Sequence, residues 1–154
     1  MPLSSSFLFR GLSEAQLQRL TTVVADIEIP KGQWLFQEGS KADRVYIIKS
    51  GAVEMLTTVN GYYELPIRIL RSEGSCFGTS ALVPPYEYSL SARSAEDVNL
   101  LEIKREDLEK ISAEDGNLGC AIMKNLAQHL LDRLKETRLE LKTHFKNLFG
   151  SMHT

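Results

Sequence analysis

Cysteine is scarce in this sequence, where Cys76 and Cys120 are the only two among 154 residues. They lie far apart and show no metal-ligand spacing, whereas a structural zinc site or an iron–sulfur cluster takes about four ligands. The cysteines alone therefore cannot hold either kind of centre. We expect two buried free thiols in a protein of the reducing cytoplasm.

Long apolar runs and an excess of charge are also missing. No apolar run approaches the roughly 20 residues of a membrane span, and residues 1–6 lack the features of an export signal. With 18 basic and 20 acidic residues the net charge is -2, so no basic surface indicates nucleic-acid binding. We expect one soluble, cytoplasmic domain with no membrane partner and, from this chain alone, no nucleic-acid partner.

Histidine is also rare, with three residues, and its placement argues against catalysis. His129, His144 and His153 all lie in or after the predicted C-terminal helix, remote from Cys76. Neither a Ser–His–Asp arrangement, a metal-ligand spacing nor a phosphate-binding glycine loop is present. We predict that the chain is not an enzyme and has no catalytic or metal-binding residues. The first two histidines are interpreted as solvated or helix-seam side chains.

The N-terminal part of the sequence has the capping and spacing pattern of a short amphipathic helix. Ser13 is a candidate N-cap, and Gln16, three residues later, is its capping-box partner. Apolar residues then recur at helical spacing on one face: Leu17, Leu20, Val23 and Val24.

Short β-rich runs separated by turns fill residues 26–104. Asn60–Gly61 between two such runs is a strong hairpin signal. Residues 74–85 are too rich in glycine for a strand, and one helical turn fits before Pro84–Pro85 stops it. The pattern predicts a small closed barrel or sandwich, with strands at residues 27–29, 34–36, 45–48, 53–59, 62–70, 86–95 and 98–103.

The C-terminal part is helical, with two turns at 105–111 and a long helix from about 117 to 149. Its apolar positions alternate four and three apart: Met123, Ala127, Leu130, Leu134, Thr137, Leu141 and Leu148. About 30 residues of helix extend roughly 45 Å, farther than a small barrel can cover. We therefore predict a parallel homodimer through this helix. The alternative is that the stripe packs on the chain's own barrel, as its first two turns can.

The order of elements resembles the cyclic-nucleotide-binding domain family, over about residues 8–145. The resemblance implies a mainly β fold with flanking helices, namely a double-stranded, jelly-roll-like β-roll between a short N-terminal and a long C-terminal helix. It also implies a sensor part at 1–112, with a phosphate-binding-cassette-like loop at 74–93, and a dimerisation helix at 113–154. The residues that carry it are Lys31, Gly32, Gly39, Val45 to Ile48, Gly51, Gly74, Phe77, Gly78, Ala81 and Leu82.

The cassette differs from the family pattern at two positions. The ribose-binding glutamate is Thr79 here, and the phosphate-binding arginine is Tyr88. An arginine contact to a phosphate is worth about 1.5–3 kcal/mol. We expect no other cofactor, and a ligand that is either a cyclic nucleotide (cyclic AMP or cyclic GMP) or another small anionic or planar molecule.

Backbone amides at Ser80 and Ala81 still offer an anion two donors. If residues 86–95 form one strand, Ser89, Ser91 and Arg93 share a face, and Arg93 is a substitute phosphate partner, ranked below a surface or inter-strand role. Tyr88 either closes over the site, stacks on a planar ligand or plugs the barrel, the default interpretation. The predicted ligand-binding residues are Phe77, Gly78, Thr79, Ser80, Ala81, Leu82, Tyr88, Ser89, Ser91, Arg93 and Thr137.

Thr137 has two interpretations. The resemblance implies contact with a purine, whereas a polar residue within an apolar seam also fixes helix register, and we favour register. Arg138 stands where the activator pattern has a serine that contacts the partner's nucleotide. The function predicted is a regulatory ligand sensor that signals through the long helix. The alternatives are a dimeric scaffold with a vestigial pocket, or the sensory half of a transcription regulator, since no helix-turn-helix follows Phe149.

Overall fold

The computed structural model describes residues 2–152, so His153 lies outside the described part. Three short helical pieces come first: α1 (Pro2–Ser5), a 3-10 turn (Phe7–Phe9) and α2 (Glu14–Thr21). The capping box is confirmed, because Ser13 Oγ accepts from the Gln16 amide at 3.2 Å and Gln16 Oε1 accepts from the Ser13 amide at 2.9 Å. The predicted apolar face extended too far, because α2 ends at Thr21 and does not include Val23 and Val24. The β-branched residues after Thr21 favour a strand.

Eight strands form two antiparallel sheets of four, and the mainly β fold is confirmed. The sheet orders are β1-β8-β3-β6 and β2-β7-β4-β5. Side chains from both sheets meet in one hydrophobic core, as expected of a β-roll. The strands are β1 (Val24–Ile29), β2 (Trp34–Phe36), β3 (Arg44–Ser50), β4 (Val53–Val59), β5 (Tyr63–Leu70), β6 (Cys76–Phe77), β7 (Ser91–Ser94) and β8 (Val98–Lys104).

The β4–β5 hairpin turns where the sequence predicted. Asn60 and Gly61 both have positive φ, 55° and 73°, as the central residues of a primed β-turn require, and the Tyr62 amide closes the turn by donating to the Val59 carbonyl at 3.2 Å. The pairing slips between Met55 and Leu56, opposite Pro66. Proline has no N–H for the ladder, so a bulge at this point is expected.

Two strand predictions were wrong. Cys76–Phe77 forms β6 against β3 despite the glycines around it. The strand predicted over 86–95 is reduced to β7, because Tyr86 has a φ of 58° and the following residues bond to the turn after β2. There the amides of Ala42 and Gly39 donate to the carbonyls of Tyr86 and Tyr88.

Two helices complete the chain, α3 (Arg105–Glu114) and α4 (Gly116–Met152). The 37 residues of α4 extend about 55 Å. Only its first turns are buried on the β-roll, through Leu118, Ile122 and Leu126. The predicted apolar seam lies on another face, and its side chains from Met123 to Leu148 are exposed.

Cys76 is buried as predicted, but Cys120 on α4 is exposed, because it points away from the face that packs on the β-roll. Among residues 2–152, no helix is long and apolar enough to cross a membrane. No group of three or more His, Cys, Asp or Glu side chains in that range could hold a metal ion.

Candidate ligand-binding cavity

A cavity of about 350 Å³ opens between the β-roll and the middle of α4. This volume falls in the range of small-molecule sites, roughly 300–1,000 Å³. Much of the wall is aromatic or aliphatic, and its apolar lining residues are Phe7, Phe36, Met55, Leu70, Phe77, Tyr88, Leu90 and Leu130.

The cassette side begins at Gly78, whose φ of 78° starts a 3-10 turn over Thr79–Leu82. A Cβ here would lie 3.1 Å from the carbonyl oxygen of Arg44 and 3.4 Å from the Tyr88 ring, so the close approach favours glycine. The polar side chains that the cassette loop places at the cavity carry neutral hydroxyls. Those of Ser80 and Ser89 lie 3.4 Å apart.

Not every predicted cassette residue lines the cavity. Phe77 to Ser80 and Ser89 do, whereas Ala81 is fully buried and its amide donates to the Gly78 carbonyl at 3.1 Å. That amide is therefore not aimed at an anion. Leu82 instead lines a second cavity, against α3 and the start of α4.

Tyr88 forms part of the wall. Its ring stacks on Phe36 with centroids 3.7 Å apart and planes 9° from parallel. The hydroxyl donates to the Arg44 carbonyl at 2.8 Å and accepts from the Arg44 amide at 3.3 Å. Burial raises the pKa of Tyr88, so the phenol remains a neutral donor at neutral pH. Only 5% of the residue is exposed, so Tyr88 is packed within the wall beside the cavity, and its interpretation as a plug stays a prediction.

Ser91 and Arg93 do not line the cavity. The Ser91 hydroxyl accepts from the Glu38 amide at 2.8 Å. Arg93 bonds to Glu64 at 2.8 Å and to Glu54 at 3.2 Å, and it lies over the Trp34 ring. The expected common face of Ser89 and Arg93 was wrong, because β7 begins only at Ser91. Arg93 instead has the inter-strand role.

Thr137 is also absent from the lining, and α4 reaches the cavity one to two turns earlier. His129, Leu130 and Arg133 are the α4 residues at this wall. The structure therefore does not place Thr137 with the cassette residues. Thr137 is exposed on α4, and its role in helix register stays a prediction.

Two cations that the sequence analysis missed lie at the cavity. Arg68 of β5 and Arg133 of α4 both line it, and both donate to Oε2 of Glu136, at 3.3 and 2.7 Å. The i,i+3 spacing of Arg133 and Glu136 was a weak signal for an ion pair. Nothing in the sequence indicated that Arg68 joins them.

The N-terminal segment closes another side of the cavity. Phe7 stacks on His129 with ring centroids 3.8 Å apart, and Asn125 donates to the carbonyls of Leu8 and Arg10 at 3.0 and 2.9 Å. Loss of water on burial lowers the pKa of His129, against the opposite effect of Asp132 and Glu136.

Two expectations for His129 were therefore wrong, namely that it is a solvated or seam residue and that it lies far from Cys76. His129 is packed and not solvated, and it lines the same cavity as Cys76, because α4 folds back over the β-roll. The two do not form a reactive pair. Burial raises the pKa of the Cys76 thiol to about 12, although a hydrogen bond with Ser6 acts the other way, so the thiolate needed for nucleophilic chemistry is scarce.

The family model described as "Cyclic nucleotide-binding domain" matches residues 26–115. The Cyclic AMP receptor protein of Thermus thermophilus is 30% identical over 139 residues, which are 90% of this chain and 62% of that protein. The chain thus spans less than two thirds of this relative.

Solved structures agree with the sequence comparison. The crystal structure of the Thermus thermophilus catabolite activator protein superposes with a TM-score of 0.76 at 31% identity, covering 89% of this chain and 62% of that one. A putative cyclic nucleotide-binding protein from Geobacter metallireducens gives 0.70 at 30% identity, covering 82% and 91%. The chain therefore belongs to the cyclic nucleotide-binding domain family and is a regulatory, ligand-sensing domain of that family.

Proposed function

We propose that the chain binds a small organic ligand in the cavity beneath α4 and transmits its occupancy through that helix. The observation that carries the proposal is that two different elements, the cassette turn and α4, line the same cavity. The cassette turn forms one wall, and His129, Leu130 and Arg133 of α4 form another. A ligand between them contacts both elements, and unequal contacts in two states are what allow a ligand to shift an equilibrium.

Cyclic nucleotides are the first ligands to test, because the relative described above is named for cyclic AMP. The cavity suits a planar, negatively charged molecule. Its walls carry several aromatic rings, it contains two arginines, and no carboxylate from residues 2–152 lines it. The departures at Thr79 and Tyr88 mean that such a ligand meets other partners than the family's glutamate and arginine.

A second copy of the chain is the proposed receiver of the signal. Beyond Leu126 no described α4 side chain is fully buried, although the helix continues for seven turns (about 3.6 residues each). Burying this surface against the same helix of another protomer, in a parallel pair, removes apolar area from water. Its exposed apolar residues include Leu130, Leu131, Leu134, Leu139, Leu141, Phe145 and Phe149.

We also propose that the chain is a regulatory domain and not an enzyme. The relative named above is a receptor, and burial raises the pKa of the cavity-lining Cys76 thiol to about 12. A cytoplasmic location is also proposed, since Cys76 and Cys120 are both free thiols, as expected in a reducing compartment. The division into a sensor part at 1–112 and a dimerisation helix at 113–154 remains a prediction.

Isothermal titration calorimetry with cyclic AMP and cyclic GMP tests the proposal. We expect saturable binding to the wild type, and loss of binding in Ser89→Phe, which places a ring into the cavity. Thr58→Phe, which adds the same ring to an exposed position of β4, is the matched control and should bind normally. Binding that survives Ser89→Phe would contradict this cavity as the site.

The scaffold is the second candidate, and the Tyr88 plug favours it. In that case the pocket is vestigial and the α4 pair alone carries the function. No heat with either nucleotide at millimolar concentration, together with a stable dimer in sedimentation, would support the scaffold over the sensor. A sensory half of a transcription regulator is compatible with the first proposal, because the chain spans only part of its receptor relative.

A further inference from the structure

The described residues contain an ion cluster that joins two walls of the cavity. Arg68 of β5 and Arg133 of α4 both donate a hydrogen bond to the same carboxylate oxygen of Glu136. Two guanidinium groups share one carboxylate, so the cluster keeps one uncompensated positive charge. Both arginines line the cavity, whereas Glu136 does not.

We propose that this arginine pair, and not the cassette, is the anion-binding subsite of the cavity, and that Glu136 is an internal competitor which the ligand displaces. The proposal rests on the ligand-sensing function proposed above and specifies how the ligand is held. An arginine guanidinium matches a carboxylate or phosphate group through two parallel hydrogen bonds.

The cassette side offers an anion much less. Its hydroxyl-bearing side chains at the cavity are Ser75, Thr79, Ser80 and Ser89, and neither these groups nor the backbone amides of the turn carry a charge. The Ala81 amide is already bonded within the turn. Hydrogen bonds in which one partner is ionised are about twice as strong as neutral ones, so an anion gains more at the arginine wall.

Glu136 is suited to being displaced. Its side chain is 58% exposed, against 33% for Arg68 and 26% for Arg133. Exposed ion pairs contribute little to stability, because water solvates the separated charges well. The carboxylate can therefore turn out to solvent at low cost, while the two arginines stay partly enclosed for the ligand.

Displacement of Glu136 also changes how α4 is attached to the β-roll. The Arg68–Glu136 bond joins β5 to α4, and a ligand anion would replace it by a bridge through the ligand. The occupied and empty states then differ in the contact between these two elements, which is the difference that coupling to α4 needs.

The expected ligand has an anionic group at one end and a planar apolar body. The aromatic rings of Phe7, Phe36, Phe77 and Tyr88 form part of the apolar wall. A cyclic nucleotide and an aromatic carboxylate share this chemistry. Neutral molecules of the same shape should bind more weakly, because they leave both arginines without a new partner.

The test is calorimetry with two anions, cyclic AMP and 2-naphthoate, against their neutral counterparts adenosine and 2-naphthamide. We expect an anion to bind the wild type at least tenfold more tightly than its neutral counterpart. Arg68→Gln and Arg133→Gln should each weaken that binding by tenfold or more, as loss of a charged hydrogen bond implies. Glu136→Gln should tighten it about threefold, because the competing charge is gone.

Arg71→Gln is the matched control, since Arg71 pairs with Glu96 away from the cavity, and should leave affinity unchanged. Unchanged affinity in both cavity-arginine variants, or weaker binding in Glu136→Gln, overturns the inference while leaving the sensor function in place. If neither anion binds the wild type at millimolar concentration, the proposed function fails and this inference with it. Melting temperatures near wild type exclude a folding defect as the cause.

Discussion

A single oxygen of Tyr88 binds both backbone groups of Arg44, donating to its carbonyl at 2.8 Å and accepting from its amide at 3.3 Å. This phenol therefore joins the loop before β7 to the first residue of β3. The resemblance implies a charged ligand contact at this position, whereas the Tyr88 hydroxyl of this chain bonds to the backbone and helps to hold the cavity wall together.

Tyr88→Phe should lower the free energy of unfolding by about 1 kcal/mol, since it removes this hydrogen-bonding oxygen and keeps the stacked ring. Urea denaturation followed by circular dichroism measures it. Tyr62→Phe is the control, because Tyr62 is 89% exposed and its loss of a hydroxyl should change stability by less than about 0.5 kcal/mol. Equal effects of the two substitutions would contradict a structural role for the Tyr88 oxygen.

Gly51→Ala should destabilise the domain far more than Gly39→Ala. Both glycines have positive φ, 93° and 85°, so both substitutions carry the backbone cost of about 1–2 kcal/mol. A Cβ on Gly51 would also lie 2.8 Å from the Val98 Cα, whereas nothing lies within 4 Å at Gly39. Thermal melts of the two variants separate the steric cost from the backbone cost. Similar melting temperatures would show that the β3–β4 turn and β8 can move apart.

Acid should destabilise the domain through His129. Its pKa is lowered in the folded chain by burial, so the unfolded chain binds the proton more readily, with a pKa of about 6.5. Its contribution to stability is therefore complete above about pH 6.5 and is lost as the pH falls through the folded value. His129→Gln should flatten the stability profile on the acid side of pH 6.5 in denaturant titrations.

The exposed His144, also on α4, provides the control for that pH effect. His144→Gln should leave the profile of the wild type unchanged. A wild-type slope that survives His129→Gln would assign the acid sensitivity to other groups. The carboxylates of Asp132 and Glu136 face His129 and work against the shift, so their substitution should steepen the slope.

Leu134→Asp and Leu141→Asp should dissociate the proposed dimer into monomers in sedimentation velocity experiments. Both side chains are more than half exposed in the single chain, 52% and 66%, so a carboxylate costs the monomer little. Between two helices the same carboxylate would be buried without a partner. Lys142→Asp, one residue outside the seam, should leave the dimer intact. Monomeric wild type at all concentrations would refute the helix pairing.

Local patterns made much of the fold predictable. The Ser13 capping box, the Asn60–Gly61 hairpin and the single turn after Gly78 each depend on residues close together in the sequence. The error over 86–95 has a tertiary cause. The main chain near Tyr88 bonds to the turn after β2 instead of extending β7, and alternation alone cannot reveal that competition.

The candidate site was less predictable for the same reason. The cassette positions follow a contiguous motif, and six of the predicted ones line the cavity, namely Phe77 to Ser80, Tyr88 and Ser89. The meeting of Arg68 with Arg133 is set by how α4 crosses the β-roll, and no spacing in the sequence encodes it. His129 was misjudged likewise, because its partner Phe7 comes from the opposite end of the described chain.

The contact of the N-terminal segment with α4 has a consequence for biosynthesis. Asn125 donates to the carbonyl of Leu8, 117 positions earlier in the chain, and the Phe7 ring stacks on His129 at the cavity. During translation, which proceeds from the N-terminus, the cavity wall formed by His129, Leu130 and Arg133 is missing until α4 has emerged from the ribosome. The proposed ligand can therefore stabilise a nascent chain only after α4 has been made.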